Sequence, residues 1–150
     1  MTARLNYWAI VAGTAATLLV SSVWYTVLGE AYLELRGLDS AAELTPEAGA
    51  LAGQVLRSLV VATVLAHLLR RLQVTSWMAA LRVGLLVWLG LQAMAVLGSV
   101  LHEQYPLGLY AIHVGDALVT TLTMTLILGT WRRGPARSRA SADPHTRPGR

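Results

Sequence analysis

The chain has 150 residues, 55% of them apolar and only 13% charged, against about 25% charged in soluble domains. It has no cysteine and no lysine, which excludes disulfides and thiolate metal sites and leaves Arg to supply all twelve basic side chains. The length suits one domain. The pI near 10.1 is no argument for nucleic acid, because six of the Arg lie in the last nineteen residues. A basic tail beside an apolar run reads as a topology signal that meets anionic lipid headgroups.

The first apolar run is 7–28. It is longer than the h-region of a secretory signal, and Trp24-Tyr25 stands where a cleavage site would need small residues. It is therefore expected to span. Ala9, Gly13, Thr17 and Ser21 recur every fourth residue and form a small-residue row that lets a second helix approach closely. The connection 29–49 is acidic, with Glu30, Glu34, Asp39, Glu43 and Glu47 against Arg36. Ser40 with Glu43 predicts a capping box for a short surface helix, and Thr45-Pro46-Glu47 predicts the start of the next span.

The second span is expected at 50–70. It carries Gln54 and Arg57, a second row through Ala50, Gln54, Ser58, Ala62 and Ala66, and His67 near its closing Arg70-Arg71. A tight turn follows at 72–77. The third span is expected at 78–101, with Arg82 one turn inside, free to snorkel back, and Gln92 deeper. Tyr105-Pro106 lies in a short turn, so the third and fourth spans form an antiparallel hairpin. The fourth span, 110–131, holds His113 and Asp116 inside an apolar run. After Trp131, a segment rich in Pro, Ser and Arg has no apolar periodicity and is expected to be disordered.

Four spans of about 20 residues match a hydrocarbon core of about 30 Å. The predicted fold is an all-α, polytopic four-helix membrane bundle over 1–133, with a disordered tail over 134–150. Arg4, Arg70, Arg71, Arg82 and the tail lie on one side and Arg36 alone on the other, so both termini are expected in the cytoplasm and the protein in the cell membrane. Tyr7, Trp8, Trp77 and Trp131 fall at the inner interface. Trp24, Tyr25, Tyr32, Tyr105 and Tyr110 fall at the outer one, and Trp88 falls mid-span.

With this topology, Ser21, Arg57, Gln92 and Asp116 lie at matched depth, on the order of 10 Å below the outer boundary at 1.5 Å per residue. Gln54, Arg57 and Ser58 share one helix face. His113, Asp116, Thr120 and Thr123 share another. An Arg or Asp in the membrane costs about 2.5–3.5 kcal/mol on insertion scales, and a bidentate pair offsets part of that. An Arg57–Asp116 ion pair between the second and fourth spans is therefore expected, with Gln92 and His113 meeting leftover donors. One reading makes the pair a staple that sets helix register. A second makes the cluster a proton or small-solute site open to the outside. A third lets Arg57 snorkel outward while Asp116 pairs elsewhere.

His102 and Glu103, taken with His113 and Asp116, match no strong zinc spacing, so no metal is expected. No cofactor motif and no catalytic Ser, His and Asp set is present, so an enzyme is not expected. Glu30 and Glu34 read as a solvated face. The expected partners are the bilayer, anionic headgroups at the tail, and a second copy or another membrane protein, with no nucleic acid.

Two segments, LNYWAIVAGTAATLLVSSVWYTVLGEAYLELRG and EQYPLGLYAIHVGDALVTTLTMTLILGTW, carry a resemblance. The first pairs an opening Asn and aromatics with Trp24-Tyr25, Gly29 and Tyr32. The second closes on Gly129 and Trp131. Together they resemble the bacterial membrane family termed domain of unknown function 1761. This sequence has Thr26 and Glu30 where that family has a Pro and a basic residue. The resemblance implies the four-helix architecture and brings no reaction, ligand or catalytic residue.

Overall fold

The structure, a computed structural model, describes residues 5–40 and 48–131. Arg4, the Thr45-Pro46-Glu47 start, Glu43 of the expected capping box and the tail lie outside them. The described chain is helical, with no strand. Helix α1 is Tyr7–Val27, α2 is Gly29–Arg36 and α3 is Ala48–Arg71. Helix α4 is Trp77–Glu103 and α5 is Leu107–Thr130. All but α2 are long and apolar enough to cross a bilayer. The chain is a polytopic membrane bundle.

The ends of these helices follow local chemistry. Asn6 caps α1 by accepting from the Ala9 N–H at 3.4 Å, and Ser76 caps α4 by accepting from the Ala79 N–H at 3.2 Å. Pro106 immediately precedes α5, which begins three residues before the expected Tyr110. Left-handed residues close three helices: Gly37 after α2, Gln73 after α3 and Gln104 after α4. The short helix expected after Ser40 falls on residues outside those described, and one that the sequence reading did not expect lies ahead of it, at Gly29–Arg36. Glu30 in its first turn, Arg36 in its last and Gly37 just beyond it suit a helix dipole there.

Helix α5 is the hub. It packs against α1, α2, α3 and α4. Its close approach to α4 depends on glycine: a Cβ on Gly129 would meet the Ala80 Cβ at 2.6 Å, and one on Gly84 would meet the Thr125 Oγ1 at 2.6 Å. Helix α2 seats Leu35 on Gly108 at the start of α5. The α1 row Ala9, Gly13 and Thr17 is buried against the bundle, and Gly13 faces Met124. In α3, Ala62 is buried and Ala66 packs on the core. The α1 row and the terminal-side part of the α3 row are therefore occupied within one copy of the chain. Val11, Leu19, Leu56, Leu86 and Leu91 point outward, as side chains facing lipid should.

The bundle is unequal along its length. Toward the ends that hold Asn6 and Trp131, here the terminal side, Ile10, Leu65, Leu69, Met124 and Leu128 form a closed apolar core. Toward α2 and the 104–106 turn, here the loop side, packing loosens: no residue of α3 from Ala48 to Val60 is buried. Helix α4 also departs from α-geometry, with a π-helical stretch at Trp88–Ala93. Such bulges redirect side chains and recur at functional sites.

Candidate functional site

In the loosely packed half, four helices enclose a polar cavity of about 50 Å³. Helix α1 contributes Thr17 and Ser21. Helix α3 contributes Gln54, Arg57 and Ser58. The π-helical stretch contributes Gln92, and α5 contributes Asp116, Thr120 and Thr121. Val61 and Met124 line it too and adjoin the apolar core. All four residues expected at one depth, Ser21, Arg57, Gln92 and Asp116, thus line one space, joined by Gln54; of the six-residue candidate polar cluster only His113 is left out.

The lining polar groups differ in how well they are satisfied. Gln92 donates from Nε2 to the Thr121 Oγ1 at 2.6 Å, which ties the π-helical stretch to α5. Thr120 returns its hydroxyl to the Asp116 carbonyl at 2.7 Å, a local bond that leaves nothing for the Asp116 side chain. Ser21 lies beside the Asp116 carboxyl. The carboxyl oxygen Oδ1 is buried without a hydrogen-bond partner. A buried polar atom left unpaired costs about 1–3 kcal/mol, more when charged, so this oxygen calls for a role.

The expected Arg57–Asp116 ion pair is not formed. Both side chains face the cavity, Arg57 is exposed, and its charge acts on the carboxylate from across the space. The cause lies in how α3 packs. Its buried residues, Ala62, Leu65 and Leu69, all follow Arg57, so the loop-side half of the helix carries the guanidinium at the cavity rim instead of against α5.

His113 does not line this cavity. It sits one turn nearer the loop side, where three tyrosines gather around it. The Tyr25 hydroxyl and His113 Nδ1 are 2.6 Å apart. The rings of Tyr25, Tyr32 and Tyr105 each lie 6.0 Å from the imidazole, with Tyr105 stacked on it and Tyr32 edge-on. Tyr25 and Tyr32 also meet edge to face at 5.4 Å, and Arg36 lies 5.7 Å from the Tyr32 ring centre. Burial and the neighbouring Tyr32 push the Tyr105 phenol above the usual tyrosine range, so it stays neutral in ordinary buffers.

Two indoles complete the frame. Trp24 donates to the Ile112 carbonyl at 3.1 Å and Trp88 to the Val114 carbonyl at 2.8 Å. Each uses the second lone pair of an α5 carbonyl. These bonds clamp the turn of α5 that presents His113 and Asp116. The Trp24 ring lies on Gly115, where a Cβ would come within 2.5 Å of it.

A family model described as a protein of unknown function (DUF1761) matches residues 8–129. The chain belongs to this family. No curated protein and no solved structure matched the chain. The DUF1761 match covers every helix that builds the cavity and the tyrosine cluster. It spans Trp24-Tyr25 and Gly129, which carry the resemblance together with Trp131 just beyond the match, and these residues have physical duties. Trp24 and Tyr25 hold α5 at Ile112 and His113, and Gly129 admits Ala80. The Trp131 carbonyl accepts from Asn6 Nδ2 at 2.9 Å.

Sequence reasoning missed the tyrosine cluster of this DUF1761 chain. Tyr25, Tyr32 and Tyr105 read singly as interfacial anchors, and only the fold brings them to one histidine. Thr123, expected beside Asp116, returns its hydroxyl to the Val119 carbonyl at 2.7 Å and does not line the cavity. Thr121 takes that place. Among the described residues no three His, Asp or Glu side chains gather as a metal site.

Proposed function

We propose that the protein is a non-enzymatic, proton-linked carrier of the cell membrane whose working site is the Asp116 cavity. The observation that carries this reading is Asp116, which lines a polar space that Arg57 shares without pairing to it and keeps its Oδ1 buried and unpartnered. A register staple would be expected to close that contact. Size favours a proton over a solute: at about 10–15 Å³ per water, a cavity of 50 Å³ suits a few waters. Water in contact with a carboxylate in the membrane is the setting of proton relays.

The positive-inside rule supports placing the termini in the cytoplasm and the cavity in the outer half of the bilayer. The Arg-rich tail then meets anionic headgroups at the inner surface. The apolar core on the terminal side separates the cavity from the cytoplasm in this conformation, so proton passage requires that core to rearrange. A second reading, an accessory subunit that docks another membrane protein or a second copy, draws on the loop-side half of α3, whose residues Ala48–Val60 are unburied.

The test uses proteoliposomes with a trapped pH-sensitive dye and an external acid pulse. Protein-dependent internal acidification is expected, and Asp116→Asn should return it to the rate of empty vesicles. Acidification no faster with the wild-type protein than without it would overturn the carrier reading.

A further inference from the structure

We propose that His113, held by Tyr25, Tyr32 and Tyr105, is the residue through which protons from the loop side reach Asp116. The inference rests on the proton-linked reading of the cavity and assigns its entry step. Three observations place the imidazole on that route. It is half-buried, one helical turn toward the loop side from Asp116 and on the same face of α5. Its Nδ1 is engaged by the Tyr25 hydroxyl at 2.6 Å, a short contact for two neutral groups. Its ring is enclosed by aromatic groups from three separate segments, α1, α2 and the 104–106 turn, so solvent meets this part of α5 through the tyrosine cluster.

Those neighbours suit a histidine that gains and loses charge. Helix α1 presents Tyr25, α2 presents Tyr32 and Arg36, α3 presents Arg57, the turn presents Tyr105, and α5 itself presents Asp116. From α4 the uncharged Trp88 indole bonds the adjacent Val114 carbonyl. Burial, Arg36 and Arg57 oppose an imidazolium here, and the Asp116 carboxylate and the ring faces favour it.

The proton balance is as follows. In the resting state Tyr25 donates its O–H to Nδ1, and the imidazole proton is on Nε2. An external proton arrives from water at Nδ1 while the Tyr25 hydroxyl turns to accept, forming the imidazolium. The Nε2 proton passes along the shared face of α5 to the Asp116 carboxylate, one helical turn away. The products are a neutral Nδ1–H imidazole, donating to Tyr25, and a protonated Asp116. Release to the loop side runs through the same steps in reverse.

Time-resolved infrared spectroscopy of the full chain in lipid, after a drop in external pH, follows the carboxyl band that Asp116→Asn removes. In wild type the band should grow with acidification. His113→Gln keeps a polar side chain of similar size. It should slow the growth of the band about a hundredfold, the scale of a lost general acid–base group, while the final amplitude stays the same. Tyr25→Phe keeps the ring, loses only the hydroxyl, and should slow it in the same sense, which preserves the test if His113→Gln misfolds. Equal rates in wild type and in a folded variant would overturn the relay and leave the carrier reading standing. Absence of any Asp116 band change in wild type would overturn the carrier reading itself.

Discussion

The contact between Ala80 and Gly129 invites a methyl swap. A Cβ built on Gly129 lies 2.6 Å from the Ala80 Cβ, and Ala80 is fully buried at 0% exposure. Carbon atoms rest at about 3.5–4.0 Å, so Gly129→Ala is short of room by about 1 Å. Neither side chain has a rotamer to move, so the helices must part. Overpacking of this kind costs about 1–3 kcal/mol. The better helix propensity of Ala returns at most about 1 kcal/mol. A net loss of about 1–2 kcal/mol is expected for Gly129→Ala. Ala80→Gly should also lose about 1–2 kcal/mol, from missing packing and propensity. In the double variant the methyl has only changed helices, so its stability should return to within about 1 kcal/mol of wild type, giving a coupling energy well above the error for independent sites. Reversible unfolding in mixed micelles, followed by circular dichroism, measures all four proteins. The reasoning fails if Gly129→Ala matches wild type, or if adding Ala80→Gly brings no recovery.

Other expectations concern the site and the bundle ends. In a double-mutant cycle, Arg57→Ala and Asp116→Ala should couple by less than about 1 kcal/mol, because the two charges share a cavity without contact; a coupling of about 3 kcal/mol would mean a direct ion pair. Asn6→Asp separates two duties, since it keeps the α1 cap but cannot donate to the Trp131 carbonyl at the negative end of α5. It should lose about 1–2 kcal/mol in the same unfolding assay, and Asn6→Ala should lose about as much.

Architecture was legible because a bilayer imposes it: length and apolarity leave few solutions for runs such as 7–28 or 110–131. The matched depth of Ser21, Arg57, Gln92 and Asp116 was legible for the same reason, since rise per residue converts sequence position into depth. Contact at that depth was not. Depth says nothing of rotation or of how far a helix stands from its neighbour, and it is the unburied first half of α3 that keeps Arg57 from Asp116. The π-helical stretch at Trp88–Ala93 was also hidden, because no residue there is a breaker beyond Gly90. Trp88 offered a hint as the one aromatic placed mid-span, where its N–H needs an acceptor and finds the Val114 carbonyl.

The Asn6–Trp131 hydrogen bond joins groups 125 residues apart and bears on how the protein is made. At about 5–20 residues per second, a ribosome needs roughly ten seconds to supply the second partner after the first. During that interval α1, α3 and α4 are in place without the helix they all pack against, and Trp24, Tyr25 and Gln92 have no partner on α5 to bond. Insertion of α5 is therefore the step that completes both the bundle and the site. A chain arrested before Leu107 would present the membrane quality-control machinery with three helices whose polar groups have nowhere to go.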